Sequence, residues 1–444
     1  MANPEARQEL IKKRLSALTR NFGRYVDVYF GDDLLGYVAL RNLARAVDGQ
    51  VTIDYWKSAP YFVNFMEGYQ LADKVRRAVD DPDRRRELLP LLRRTQHLDR
   101  HALRHYEQID LGNARLRRLA ADTLDAGWWR LLWIPPSLPY FLPDGPYAEP
   151  LAATVTKRLV FSSWAATPTA VAALLSYDAE RRIAEGSRLT ENTPSARRSI
   201  ANRLAYNLDG GRPQAMTTLA LFWPMPGLAA LADPLAHARR TADLPTAAEV
   251  EQAMAAALRP QLPAGPPSHA PSAEAWYWAA ALRRRDSLPA DLAADERSAD
   301  TILRGLTGEV DTDDETSDDP AGLAAHVNLA LRSRRDDLDL PAAPPDLAET
   351  LAAIALHSPA NVAWRALGRL VHGQPDLTPA GHWFAAAVLA SGLRTLFARL
   401  ETTLLLDRLL PNQVYWRAVL RYSAWGNLQA VLDESCITSP SPRG

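Results

Sequence analysis

The sequence predicts a mainly α-helical protein with helical bundle or insertion regions and a small, incomplete α/β portion. Three observations support this prediction: helix-start signals recur along the chain, apolar residues follow them at helical spacing, and only a few short segments resemble strands. The 444 residues are enough for roughly two to four domains. A composition of 47% hydrophobic and 23% charged residues is typical of a globular protein.

Capping residues followed by proline or glutamate mark the predicted helix starts. Thr167, Ser358 and Thr378 each precede a proline, which suits the first position of a helix. Thr246 and Asp346 each precede a glutamate by three residues, which is the spacing of a capping box. With the apolar periodicity, these signals predict helices over residues 68–80, 98–124, 167–185, 246–258, 272–284, 322–334, 346–357, 359–371, 379–398 and 412–433.

Strand signals are few. Residues 51–55 are a weak candidate, and residues 130–134 are stopped by two prolines, which cannot continue a ladder. The best candidate is Lys157–Ser163 (KRLVFSS), an apolar run bounded by polar residues that is typical of a strand buried on both faces. Because a short loop and a proline-started helix follow it, it predicts the opening of one α/β unit.

Proline-rich and acidic segments predict breaks in the chain. Residues 260–272 are rich in proline and predict a semi-rigid connector, whereas the acidic residues 309–319 predict a solvated loop. Residues 435–444 predict a disordered tail. The predicted domains are a helical region over 1–125, the α/β portion over 126–185, and a second helical region over 186–434.

Charge and cysteine content exclude several classes of protein. The 51 basic and 52 acidic residues nearly cancel, so no global field indicates nucleic acid or membrane as a partner. The single cysteine, Cys436, allows no internal disulfide and no thiolate metal cluster. The N-terminal residues are charged, and no stretch reaches the roughly 18 to 20 apolar residues of a membrane span. The sequence therefore predicts a cytoplasmic protein with no membrane contact.

The chain lacks the motifs of a nucleotide-hydrolysing enzyme. No Gly-Lys pair occurs, although P-loop ATPases need one to hold the phosphates. The acidic runs Asp295–Ser298 and Asp313–Thr316 do not end hydrophobic strands, so they lack the setting of a magnesium-binding acidic box. No Ser/His/Asp set has the local sequence of a nucleophile elbow. We expect no catalytic residues and no ATP hydrolysis by this chain alone.

Three histidines, His97, His101 and His105, recur every four residues in a predicted helix, as the ligands of a metal site do. Arginines are interspersed among them, and repulsion from these cations opposes the binding of a divalent ion. The sequence therefore favours a solvated or phosphate-facing helix and predicts no metal site. The interspersed arginines are Arg94, Arg100 and Arg104.

Aromatic residues form several clusters near lysine and arginine. Aromatic rings interleaved with cations can stack on unpaired bases, although tryptophan more often packs in a core or at a domain junction. Trp56 and Lys57 are the pair at which we first expect contact with nucleic acid.

Segments spread over most of the chain together carry a family resemblance. They are Leu35–Leu40, Asp54–Tyr61, Asn64–Tyr69, Trp128–Tyr140, Lys157–Trp164, Leu174–Arg182, Ser358–Asn361, Tyr415–Arg417 and Gly426–Asp433. Their sequences resemble large bacterial superfamily 2 helicase-like proteins, which are related to Swi/Snf-type motors and often linked to phage defence.

This resemblance implies that the run over 157–163 is the first strand of the second RecA-like lobe, with helicase motif IV, and that residues 186–434 are a helical insertion. The start of that lobe faces the DNA backbone in such motors. Basic side chains there would attract the DNA backbone, and the unpaired amides at the start of a helix suit a phosphate group. The implied DNA-binding residues are Lys157, Arg158, Ser162, Ser163 and Thr167.

The resemblance implies ATP and magnesium for the family only, because this chain has no Walker A, Walker B or arginine-finger motif. Three interpretations stay open. The chain is a fragment or split subunit that works with a polypeptide supplying the ATPase residues; or it is a stand-alone module that binds DNA or a defence-system protein; or it is a non-functional remnant. The abrupt change of composition after Glu434 is typical of a truncation or frameshift.

Overall fold

The computed structural model describes residues 31–200, 202–240, 243–263, 266–294, 298–307, 320–335, 338–370 and 378–438. Within these ranges the protein is mainly α-helical and has one two-stranded sheet, which confirms the predicted fold class. The chain divides into two units. Unit 1 contains residues 31–129 and 156–199, and unit 2 contains residues 130–155 and those from 200 onward. The predicted block 126–185 is therefore divided between them.

Unit 1 is built from nine described helices around two apolar clusters. Helix α8 joins the clusters, since Ala166 and Ala170 lie in the first and Leu174 in the second. The helices are α1 (Gly31–Ala46), α2 (Ile53–Ser58), α3 (Phe62–Phe65), α4 (Gln70–Asp80), α5 (Pro82–Arg94), α6 (Arg100–Arg104), α7 (Ala114–Thr123), α8 (Ala166–Ala184) and α9 (Pro194–Ser199).

The predicted helix over 98–124 is broken into α6 and α7. Tyr106 (φ 52°) and Gly112 (φ 76°) adopt left-handed backbone conformations, which a right-handed helix cannot contain. A Cβ atom at Gly112 would lie 2.6 Å from the Cβ atom of Pro60, so the second turn requires glycine. Helical periodicity continues across this break in the sequence, which is why the pattern predicted one long helix.

The predicted buried strand over 157–163 is wrong. These residues have no regular secondary structure, and Leu159, Val160 and Phe161 are 78%, 54% and 87% exposed. The physical reason is that a strand needs a ladder partner, and the described part of unit 1 contains no strand. The weaker strand candidates also fail, since residues 53–58 are helical and residues 131–134 are irregular.

Local capping signals give a mixed outcome. Thr246 forms the predicted capping box with Glu249, and Thr378 Oγ1 accepts a hydrogen bond of 3.0 Å from the amide of Gly381. Thr167 is not a cap, because helix α8 begins one residue before it. Asp346 caps nothing through its side chain, because its carboxylate accepts hydrogen bonds from other side chains, including that of Tyr277.

Unit 2 contains fourteen described α-helices, several short 3₁₀ turns and the hairpin. The helices are α10 (Met216–Phe222), α11 (Pro226–Leu231), α12 (Pro234–Ala238), α13 (Ala247–Leu258), α14 (Ala275–Leu282), α15 (Ala290–Ala294), α16 (Ser298–Thr307), α17 (Pro320–Ser333), α18 (Leu347–His357), α19 (Pro359–Leu370), α20 (Pro379–Ala398), α21 (Leu400–Leu409), α22 (Tyr415–Trp425) and α23 (Leu428–Thr438). The hairpin pairs β1 (Leu208–Asp209) with β2 (Arg212–Pro213), and both glycines of its turn have positive φ.

Arg365 and Trp383 are buried polar side chains of unit 2 that are hydrogen-bonded. Arg365 is almost fully buried and donates to the carbonyls of Ala355 at 2.8 Å and Leu356 at 2.6 Å. These carbonyls lie at the end of α18, where a helix has no further backbone N–H groups to offer them. Its Nε donates to Oε1 of Gln429 at 2.7 Å. Burial lowers the pKa of Arg365 to about 9. The fully buried ring of Trp383 donates to the carbonyl of Pro224 at 2.9 Å.

The proline-rich residues 130–141 are held on the last two helices of unit 2. Trp133 Nε1 donates to the carbonyl of Gly426 at 2.8 Å, and Asn427 Oδ1 accepts from the amides of Tyr140 and Phe141 at 2.9 and 2.8 Å. Asn427 has a φ of 49° and separates α22 from α23, where one helix was predicted. Hydrogen bonds to Gly426 and Asn427 thus hold in place this segment, whose prolines prevent it from pairing as a β-strand.

Two further predictions concern the acidic loop and the tail. Helix α23 continues to Thr438, so residues 435–438 are helical and not disordered as predicted. Residues 439–444 and the predicted acidic loop over 309–319 lie outside the described residues. Among the described residues, none of the helices is by itself both long and apolar enough for a membrane span, although two bent helix pairs reach that length and composition together.

Candidate nucleic-acid interface

Four of the residues that sequence analysis assigns to nucleic acid line one cleft in unit 1. The cleft has a volume of about 670 Å³ and is bounded by helices α2, α7 and α8 and by the 156–163 segment. Lys57, Ser162, Ser163 and Thr167 all lie in its wall. The chain therefore brings residues that are more than 100 positions apart in sequence to one surface.

Hydroxyl groups on one side of the cleft form a relay. Ser162 Oγ donates to Thr167 Oγ1 at 2.8 Å, and Thr167 Oγ1 donates to the carbonyl of Ser58 at 2.7 Å. Ser162 Oγ also accepts from the amide of Trp164 at 3.1 Å. Ser163 is exposed and has no hydrogen bond to other described residues. Of the three predicted hydroxyl contacts, Ser163 is thus the one that a ligand reaches without breaking an internal bond.

The amide end of helix α8 offers little to an anion. The amide of Ala166 donates to Tyr69 Oη at 3.3 Å, and the amide of Thr167 donates to the carbonyl of Trp164 at 3.2 Å. The next residue, Pro168, has no N–H group. The predicted phosphate contact therefore loses its backbone donors at these positions and depends on side chains.

Charged side chains in the cleft wall are Lys57, Arg115 and Asp54, two cations and one carboxylate. Lys57 and Arg115 are both exposed. Arg115 lies on α7, and sequence reasoning missed it because nothing in its local sequence separates it from its neighbouring arginines. Among the described residues of the wall, cations thus outnumber carboxylates, and an excess of positive side chains favours a polyanion over a cation.

Trp56 is buried, whereas the predicted stacking on bases requires an exposed ring. Its side chain is 7% exposed and packs in the first apolar cluster of unit 1, with its ring centroid 5.7 Å from that of Tyr37. The physical reason is the amphipathic turn of α2, which buries Trp56 and leaves Lys57 at the surface. The exposed aromatic ring in the cleft wall is that of Phe161.

Lys157 and Arg158 are exposed and lie just outside the cleft wall. Arg158 Nη1 lies 3.5 Å from Asp122 Oδ2, and its guanidinium carbon lies 5.4 Å from the ring centroid of Trp128. Asp122 offsets part of the charge of Arg158. These contacts attach the first half of the 156–163 segment to unit 1.

The backbone of the 156–163 segment is unpaired. No N–H or C=O group of these eight residues forms a hydrogen bond within the described parts of the chain. The next residue, Trp164, anchors the segment, because its ring lies 4.9 Å from that of Tyr55. The segment therefore presents free donors, free acceptors and three exposed apolar side chains in a row.

No protein-family model, curated protein or solved structure matches the chain. The resemblance to helicase-like proteins therefore depends on the sequence segments given above.

Proposed function

We propose that the chain is a non-hydrolysing part of a bacterial helicase-like motor and that it works in the cytoplasm with a polypeptide supplying the ATPase residues. That polypeptide joins the chain at the 156–163 segment. The observation that carries this proposal is the unpaired backbone of the segment together with the exposure of Leu159, Val160 and Phe161.

The chemistry of the segment suits the edge of a β-sheet. A sheet edge has a row of unpaired N–H and C=O groups, and it binds a polypeptide segment whose own groups are unpaired. Val160 and Phe161 are also residue types that favour strand conformation once a partner strand is present. Pairing would bury side chains that are now more than half exposed.

Capture of the partner from the bacterium of origin tests this proposal. Tagged full-length chain is expected to co-purify a polypeptide that contains a Gly-x-x-x-x-Gly-Lys-Ser/Thr sequence, and Phe161→Asp is expected to abolish the capture. Leu138→Asp is the matched control, because Leu138 is also highly exposed, at 74%, but belongs to unit 2. Equal capture by both variants, or a partner without that motif, would contradict the proposal.

A second function, binding of the DNA backbone in the unit 1 cleft, is supported by the same wall. Lys57 and Arg115 are exposed cations there, and the ring of Phe161 is available to stack on a base. Lys157 lies beside the cleft and adds to the same positive surface. Such contacts recognise phosphate and a π-face and carry no base-edge readout, so they predict sequence-independent binding.

Titration of labelled single- and double-stranded DNA tests this second function. We expect binding at low salt that weakens as salt rises, and that Lys57→Ala with Arg115→Ala weakens it at least about 10-fold. The control variant is Arg76→Ala with Arg118→Ala, which also removes two exposed cations of unit 1 outside the cleft wall. Absent binding at low salt, or equal losses in the two double variants, would remove the cleft as a DNA site.

A further inference from the structure

Three side chains with metal-ligand chemistry meet at the end of helix α6. The ligand atoms of His101, His105 and Glu107 all lie within 4.8 Å of one another. The two imidazole centroids are 4.2 Å apart, and His101 Nδ1 lies 3.5 Å from Glu107 Oε1. We propose that these residues bind a divalent first-row transition metal of the zinc class, a site independent of the function proposed above.

The backbone brings the three ligands together. His101 and His105 are four residues apart, which places them on one face of the helical turn. The left-handed Tyr106 then reverses the chain, and the amide of Glu107 donates to the carbonyl of Ala102 at 2.9 Å, as in a Schellman motif. This turn directs Glu107 back toward the histidines.

Tyr106 is itself held in place, so the reversal does not depend on the exposed ligands. Its hydroxyl donates to a carboxylate oxygen of Glu180, and its ring stacks on that of Tyr177 at 6.3 Å. The ligands therefore extend from a turn that is fixed by contacts on its other side. A preformed turn lowers the entropy that metal binding must offset.

A backbone carbonyl orients one of the ligands. His105 Nδ1 lies 2.9 Å from the carbonyl oxygen of His101. A carbonyl only accepts, so this bond requires the proton on Nδ1 and leaves the lone pair on Nε2. A metal-binding histidine commonly donates its other ring N–H to a carbonyl or carboxylate in this way.

The repulsion expected from the neighbouring arginines is weaker than the sequence suggests. Arg104 forms an ion pair with Glu191, with Nη2 and Oε2 3.0 Å apart. Glu107 adds a carboxylate that the histidine spacing did not reveal. His97 lies before α6, where its Nδ1 is 2.8 Å from the carbonyl of Thr95, and it is not part of the cluster.

Ligand type selects the class of metal. Two imidazoles and one carboxylate suit zinc, cobalt, nickel or copper better than magnesium or calcium, which prefer oxygen ligands alone. Ligand atoms on a tetrahedral zinc ion lie about 3.3 Å apart, given bonds of about 2.0 Å. His101 and Glu107 are 72% and 54% exposed, so small side-chain rotations close the remaining distance and leave a fourth position to solvent.

Cobalt titration of the chelator-treated, full-length chain tests the site. We expect the visible absorption of tetrahedral Co²⁺ to appear and to be displaced by Zn²⁺. His101→Ala and His105→Ala should each abolish it, and Glu107→Gln should weaken Co²⁺ binding at least about 10-fold. All three side chains are exposed, so the variants should keep the far-ultraviolet circular dichroism of the parent.

His97→Ala is the matched control, since it removes an exposed histidine from the same stretch but outside the cluster. Its absorption should equal that of the parent chain. The proposal is overturned by an absence of the cobalt spectrum in the parent, by an unchanged spectrum in both cluster histidine variants, or by an equal loss in His97→Ala.

Discussion

Ser162 donates its hydroxyl proton to the hydroxyl of Thr167 across 2.8 Å, and this bond ties the 156–163 segment to the first turn of helix α8. Thr167 in turn donates to the carbonyl of Ser58 at the end of α2. Two helices of unit 1 therefore fix one end of the segment, while its apolar middle stays exposed. A segment held at its end and free in its middle is suited to receive a partner strand.

Removal of the relay should destabilise unit 1. In Thr167→Val the half-buried carbonyl of Ser58 and the hydroxyl of Ser162 both lose a partner, so we expect the free energy of unfolding to fall by about 1 to 2 kcal/mol. Ser163→Ala removes an exposed neighbouring hydroxyl and should change it by less than about 0.5 kcal/mol. Urea unfolding of both variants measures the difference. Equal midpoints would show that the relay does not stabilise the fold.

Two glycines of unit 2 should respond oppositely to alanine. A Cβ atom at Gly426 would lie 2.5 Å from Trp133 Nε1, so Gly426→Ala should cost about 1 to 3 kcal/mol. Gly392 lies inside α20, where an added Cβ would meet no packed neighbour within 4 Å beyond its own helix backbone, so Gly392→Ala should stabilise by about 0.5 to 1 kcal/mol. Thermal unfolding of the pair tests the packing of Trp133. A stabilising Gly426→Ala would contradict it.

Buried tyrosines should make the fold sensitive to alkali. Burial raises the pKa of Tyr147, Tyr415 and Tyr422 above the ordinary value of 10.0. Above about pH 10 the tyrosines of the unfolded chain release protons that those of the folded chain keep. The contribution of these tyrosines to the free energy of unfolding is therefore complete below about pH 10 and is lost as the pH rises toward their folded-state pKa values. Each such tyrosine adds a slope of up to about 1.4 kcal/mol per pH unit.

Urea midpoints between about pH 9 and about pH 11 measure this slope. Tyr422→Phe should be less stable than the parent at neutral pH, because the amide of Leu132 and the carbonyl of Arg130 lose their partner. It should also lose stability less steeply with rising pH. Parallel curves for the two proteins would show that Tyr422 does not titrate as described.

The purified chain should hydrolyse no ATP above background, with or without DNA. The reason is the absence of any Gly-Lys pair to hold the phosphates. A coupled phosphate-release assay measures the rate. Turnover that survives repurification and disappears on substitution of a residue in this chain would show that the sequence contains an unrecognised catalytic site.

Local signals predicted the fold well where they were self-contained. Thr246 and Thr378 begin helices as expected, because a cap needs only the next three residues. The short helices α10 to α12 were missed, because their nearly continuous apolar sequence shows no helical periodicity. The strand predicted at 157–163 does not form, because a strand depends on partner strands that the local sequence does not contain.

The candidate sites show the same limit. Lys57 was predicted separately from Ser162, Ser163 and Thr167, and the four residues share a cleft, whereas Arg115 joins them only through the packing of α7. Glu107 was missed because a left-handed tyrosine, which favours no such turn by residue type, places it beside His101. Long-range packing and unusual backbone angles are therefore what sequence reasoning did not supply.

Hydrogen exchange of the amides in the 156–163 segment tests the central claim most directly. In the chain alone these amides have no hydrogen-bond acceptor among the described residues, so they should exchange at nearly the rate of an unfolded peptide. In the complex with the captured ATPase polypeptide, the account predicts slow exchange at these amides, and no slowing when that polypeptide is mixed with Phe161→Asp. Exchange that is already slow in the chain alone, or that stays fast in the complex, would contradict the account.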